Sequence, residues 1–431
     1  MKVGFDETKV NLEQYVPDEN YKTGFSLVPI QALECSSKMS FISTTDACHI
    51  THANINGMNM YTTCHDANYQ INPMIGSYSL FEESEITWNV HNSVDLRKFP
   101  IRNTPDHVHI SDGDKGGFAS YKKIYTAKKH KPDSQCGHVY KLHKGFFYCS
   151  NHAAQTVRKK YKSAASDEFN HLKRMTSRDK ILARLEDPKH KKLCKWLSKR
   201  SLEFSLPAFN DQIWDKDTTQ NVEVQNKLQK SEGARTGGHM QRAQNMLSSM
   251  MRRWIRKKKN AVECKTILVP KMEIEKKRLI SKISGYFSHQ KNPSNPNKGV
   301  VEVYSGIKDQ QLSKKCYEVE LYPNRHPYTT MGGHCSCLRP LQKRLPCVHT
   351  IYYAGLVGFE YDNLFREEHL TKYWRWQYED MGTEMLIPDV NTLIKSSSLA
   401  APVVGAPLRG RPKKGKRIKS VMEKRKRRRP N

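Results

Sequence analysis

The fifteen residues CSCLRPLQKRLPCVH, Cys335 to His349, constrain the fold of this chain more than any other stretch. Cys335 and Cys337 stand one residue apart, Cys347 and His349 do the same, and nine residues separate the pairs. Thiolates and neutral imidazole are the ligands Zn(II) prefers, and four of them close a tetrahedron. On an extended segment Cys335 and Cys337 point to one side. Pro346 suits the first turn of a helix that carries Cys347 and His349 at its entrance. The expectation is a strand–turn–helix module stapled by one structural Zn2+, because a closed set of four protein ligands leaves no position open for chemistry.

Charge narrows the partners. Lys and Arg total 73 against 43 acids, a formal charge of +30. A surplus of that size attracts polyanions, of which nucleic acid is the commonest. Eleven cysteines, an odd number without regular disulfide spacing, suggest reduced thiols inside a cell. No apolar run is long enough to span a bilayer, so no membrane partner is expected.

Alternation and turn residues predict an α/β order from Met39 onward. "MSFISTTDACHI" reads as a strand ending at Asp46. "GMNMYTTCHDANYQINPMIGSYSLFEES" reads as two strands joined at Asp66-Ala67-Asn68, and "EITWNVHNSVDLRKF" as a helix. "HVHISDGDKGG" is a short strand stopping at Asp112, with "SQCGHVYKL" as a further strand. Residues 147–205 read as helical and rich in Lys and Arg. One long helix is expected from near Asn221 to near Asn260. "SHQKNPSNPNKG" reads as a turn-rich break before strands "VVEVYSG" and "CYEVELYP".

The clip's spacing, with a strand pair before it and a helix after it, resembles the SWIM-type zinc finger. Three upstream segments resemble the blocks of the Mutator-like transposase family. They are "DACH" continuing to "DANYQINP", "ISDGDKGG" at 110–117, and "TQNVEVQNK" at 219–227. The resemblance covers about residues 25–390. It implies a ribonuclease-H-like mixed sheet with a helical insertion, followed by a small ββα SWIM-type zinc module and a disordered basic tail. The implied divisions are a lead-in at 1–38, left over from a region before the catalytic domain, and a DDE transposase domain at 39–260 with its insertion at about 147–215. A connecting helix and strands at 261–330, the zinc finger at 331–355, an aromatic segment at 356–395 and a linker with its tail at 396–431 follow.

Carried over by position, the catalytic acids are Asp46, Asp112 and Glu223, with Asp114 as a competitor to Asp112. Asn226, Cys136 and His138 are further candidates by the same resemblance. Cys149 and His152 form a second Cys-x-x-His pair later in the chain. Carboxylates are the oxygen ligands that Mg2+ or Mn2+ favours, and two such ions can drive phosphodiester displacement. The implied activity is nicking of double-stranded DNA at transposon ends and strand transfer into target DNA, with homo-oligomers on DNA as a further expectation.

In the tail, Arg409, Gly410, Arg411, Pro412, Lys413 and Lys414 resemble an AT-hook, whose Arg side chains enter a narrow minor groove. "EKRKRRRP" from Glu423 reads as a nuclear import signal, so the expected location is the nucleus. The competing expectation is a domesticated or truncated, catalytically inactive relative that binds DNA as a transcriptional regulator.

Overall fold

The computed structural model describes residues 10–13, 24–39, 42–49, 57–79, 85–99, 107–111, 117, 119–121, 146–173, 175, 178–186, 191–199, 220–231, 239–283, 287–308, 311–324 and 331–382. All of them belong to one compact unit, Lys2–Leu393. Asp112, Asp114, Cys136, His138 and the basic tail from Arg409 lie outside the described residues.

The main sheet is mixed. Its strands are β1 (Val10–Glu13), β2 (Gly24–Pro29), β3 (Ile42–His49), β4 (Met58–His65), β5 (Ile71–Ser79), β6 (Val108–Ser111) and β7 (Phe146–Tyr148). Their order is β1-β2-β5-β4-β3-β6-β7. The pairs from β1 to β3 are antiparallel, whereas β6 runs parallel to β3 and β7 parallel to β6. Every residue of β4 is buried. Burial on both faces requires a layer on each side.

On one face lies the helix α2 (Glu85–Lys98). Its Trp88 packs on Met58 and Met60. Below it a buried polar chain crosses the sheet. Thr45 bonds Thr62 (3.1 Å), Thr62 bonds His91 Nε2 (2.8 Å), His91 Nδ1 bonds Ser77 (2.7 Å), and Ser77 bonds Ser26 (2.7 Å). Each link satisfies its neighbour, so hydroxyls at strand positions are tolerated inside the core.

Two sequence expectations change here. Residues 24–38 are part of the fold, since β2 pairs with β5 and the helix α1 (Ile30–Cys35) buries Ala32 and Cys35. The strand bearing Asp46 does not end there. It continues to His49, because pairing with β4 runs on to His49↔Met58.

A helical insert follows β7, which itself falls where helix was expected. It comprises α3 (Ser150–Leu172), α4 (Arg178–Leu185) and α5 (Lys191–Lys199). Val157, Phe169, Leu172, Ile181, Leu193 and Leu197 give it a core of its own. Two helices, α6 (Gln220–Ser231) and α7 (His239–Glu263), stand where one was expected. They cover the sheet face opposite α2: Met246 and Met250 of α7 pack with Tyr61 and Leu27. Trp254, fully buried, donates its indole N–H to Pro73 O at 2.8 Å.

After α8 (Pro270–Ile280) comes a second, antiparallel sheet of β8 (Phe287–Asn292), β9 (Asn295–Lys308), β10 (Gln311–Leu321) and β11 (Gly333–Cys335), ordered β11-β10-β9-β8. The expected break at "SHQKNPSNPNKG" is a hairpin, with Asn292 paired to Asn295. The short α9 (Arg339–Lys343) and then α10 (Val348–Leu356) follow, and α11 (Thr371–Gln377) is the last helix described. Among the described residues no helix is long and apolar enough to cross a membrane.

Gly299 on β9 lies under Tyr353 of α10. An added Cβ there would sit 2.3 to 2.6 Å from the tyrosine ring. That ring is anchored by its hydroxyl, which donates to Lys298 O at 2.6 Å. Gly299→Ala is therefore expected to cost about 1–3 kcal/mol by overpacking, read as a lower urea midpoint.

Candidate metal centre and carboxylate site

The zinc-type ligands converge. Cys335 ends β11, Cys337 lies in the turn after it, and Cys347 and His349 open α10. The ligand atoms of all four lie within 4.8 Å of one another. Cys347, not Pro346, begins the helix. It is the N-cap, with its sulfur accepting from Thr350 N while the Thr350 hydroxyl accepts from Cys347 N at 3.0 Å. That reciprocal cap fixes the angle at which the helix leaves the cluster.

His349 presents Nδ1 to Cys335 Sγ at 3.5 Å. Its ring stacks on Tyr317 at 4.0 Å and 14°. The stack fixes the imidazole plane. Between the ligand pairs, Leu338 and Arg344 hold left-handed backbone, φ 60° and 51°. Such positions are strained for bulky residues and persist where surroundings dictate them.

The thiols pull one another apart in acidity. Hydrogen bonds with Cys337 and Cys347, and then burial, drive Cys335 far up. Cys347 is drawn well below the usual thiol range, against its burial, by hydrogen bonds with Cys335, Cys337 and His349. The crowding fits a divalent cation, which deprotonates coordinating thiols. Cys335, Cys337, Cys347 and His349 could hold a zinc ion.

The second constellation is built from distant segments. Asp46 sits inside β3, 8% exposed, on the sheet face covered by α6. Asn226 of α6 donates its side-chain N–H to Asp46 Oδ2 at 3.1 Å. Glu223 lies one turn before Asn226, and its Oε1 is 3.9 Å from His152 Nε2 in the first turn of α3. Asp46, Glu223 and Asn226 are thus tied to one region, and His152 of the later Cys-x-x-His pair joins them. Cys149 of that pair is buried ahead of α3. The register pairs Thr45 with Ser111, the residues immediately before Asp46 and Asp112.

The Asn226 amide is oriented by the carboxylate it serves, since only its nitrogen can donate. Its Oδ1 is then a buried acceptor without a hydrogen-bond partner among the described residues. An acceptor oxygen left over beside a carboxylate fits a hard cation.

A third polar cluster is centred on the segment "DANYQINP", whose residues have no individual role in the sequence reading. Asp66, in the β4–β5 turn, accepts from Gln70 N (2.7 Å), Trp374 Nε1 (2.9 Å) and Tyr378 OH (2.8 Å). Lys257 of α7 donates to Asn72 Oδ1 at 2.8 Å, and Asn72 Nδ2 donates to Tyr378 OH at 3.0 Å. Nothing in the local pattern around Asp66 distinguishes this from an ordinary turn aspartate.

These features define the class: an α/β chain with a mixed sheet, a second antiparallel sheet and a Cys3His group able to hold zinc. The chain matches no protein-family model and no curated protein.

Proposed function

We propose that this protein is a DNA transposase of Mutator-like type, which cuts and joins DNA phosphodiesters and uses a zinc-stapled module for binding duplex DNA. The observation that carries this reading is the meeting of Asp46 with the α6 segment bearing Glu223 and Asn226, 180 residues away in sequence. Strand order adds support. Three antiparallel strands continued by two parallel ones, β5-β4-β3-β6-β7, are what a ribonuclease-H-like sheet implies.

In this reading Asp46, Asp112 and Glu223 would hold two Mg2+ or Mn2+ ions, which when bound would supply activation of the attacking oxygen and stabilisation of the leaving one. Asn226 restrains Asp46 through Oδ2. His152, when protonated, offsets the charge of Glu223. The tail from Arg409 adds salt-sensitive contacts to phosphates.

Supercoiled duplex DNA with Mg2+ or Mn2+ tests the reading. The wild type should nick it, and Asp46→Asn should not, with an unchanged unfolding midpoint. Asn226→Ala should slow nicking about 10- to 100-fold, the usual effect of losing a group that orients a metal ligand. Equal nicking by Asp46→Asn would overturn the assignment. Binding of duplex without nicking by the wild type would favour the regulator reading instead.

A further inference from the structure

The helical insert carries charge that the zinc cluster and the carboxylates do not explain. Residues 150–199 hold fourteen lysines and arginines against five acids. The bases are not evenly spread along α3. From Ser150 to Ser166 the helix has Arg158, Lys159, Lys160 and Lys162 and no acid, and its acids, Asp167 and Glu168, come later. Glu168 is occupied by Arg184 of α4, with Nη2 to Oε2 at 3.0 Å. Arg158, Lys159 and Lys160 are all exposed, and none has an ion pair among the described residues. Like charges four apart on a helix, as Arg158 and Lys162 are, repel and weaken it. A local cluster of this kind is stabilised when a polyanion lies along it.

Position gives the cluster its meaning. The first turn of α3 touches the carboxylate site, since His152 reaches Glu223. Lys159 is seven residues on, close to two full turns, so it projects on the same side of the helix as His152, with Arg158 and Lys160 flanking it. The distance along the axis from His152 to Lys159 is about 10 Å. Along one strand of a duplex, successive nucleotides advance about 3.4 Å. A strand with one phosphate at the Asp46–Glu223 site would thus bring a phosphate about three nucleotides away to Lys159.

We propose that the exposed side of α3 from His152 to Lys160 is the track for the flanking DNA backbone, with Arg158, Lys159 and Lys160 contacting phosphates outside the reacting site. This rests on the reading of the site as one that acts on DNA. The contacts are to phosphate, so they carry no sequence preference.

The test is the full-length triple variant Arg158→Gln/Lys159→Gln/Lys160→Gln, with duplex binding measured over a range of salt in EDTA. Because divalent ions are absent, the measurement does not depend on nicking. Affinity at low salt should fall at least about tenfold, and the slope of log K against log salt should flatten by about 2 to 3, near 0.9 for each phosphate no longer neutralised. The charge-preserving triple Arg158→Lys/Lys159→Arg/Lys160→Arg should bind as the wild type does, which separates charge from folding. An unchanged slope in the glutamine variant overturns the track, even if the wild type nicks DNA. A flattened slope with a wild type that never nicks upholds the track and sinks the nuclease reading alone.

Discussion

Replacing Cys347 with serine should release one zinc ion per chain and unfold the segment from β11 through α10. Cys347 is both one of the four candidate ligands and the N-cap of α10. Structural zinc sites in small modules contribute roughly 10–16 kcal/mol of binding free energy, which is available to folding. Without an ion, three thiols remain packed together, and the segment that links them still holds two left-handed residues. The damage should not stay local, since Cys335, Cys347, Ile351 and Tyr353 share one apolar core with Val28, Trp254 and Trp374. Zinc content by atomic absorption and amide exchange across 331–356 check this. A wild type that is fully folded and metal-free would refute it. Because thiolates must be deprotonated to bind, affinity should fall as pH is lowered.

Asp66→Ala should be the most damaging single change away from the cysteines, at about 3–5 kcal/mol, the usual loss when one partner of a buried charged group is removed. Asp66 is 4% exposed and Lys257 5%. Burial pushes the Asp66 carboxyl up, while Lys257 and the donors from Gln70, Tyr378 and Trp374 pull it down. Burial lowers Lys257 to about 7 against the attraction of Asp66. Truncation would leave the Trp374 indole without its acceptor and the Lys257 ammonium without its counter-charge. An unfolded chain binds more protons at Lys257 than the folded one between about 7 and the ordinary lysine range, so this residue makes stability rise with pH there. Urea titrations of wild type, Asp66→Ala and Lys257→Met would show both effects. A loss below about 1 kcal/mol for Asp66→Ala would contradict the assignment.

The parts legible in the sequence were those whose information is local. The metal cluster needs only fifteen residues and ligand chemistry. β4, β5 and α2 follow from alternation and helical spacing in "GMNMYTTCH", "INPMIGSYS" and "EITWNVHNSVDLRK". β8 was hidden because its residues are polar and partner sideways. Ser288 donates to Glu302 at 2.7 Å and Gln290 at 3.1 Å, where an apolar alternation would have marked the strand. β2 was hidden because its partner, β5, lies some fifty residues on. The link from Asp46 to Asn226 spans 180 residues, and only a family resemblance pointed to it. The Asp66 cluster spans over 300; "DANYQINP" held its Asp66, Gln70 and Asn72, but nothing pointed to their partners Trp374 and Tyr378.

That last span has a consequence for how the chain matures. The β4–β5 turn is held by residues made much later: Ala67 N donates to Gln377, Tyr69 OH bonds His369, and Asp66 receives Trp374 and Tyr378. Until the ribosome has synthesised and released residues 369–378, a carboxylate near the middle of the first sheet has no indole or phenol to meet it. This turn therefore cannot reach its native hydrogen bonding before then, and completing it joins the β4–β5 hairpin to the last helix described.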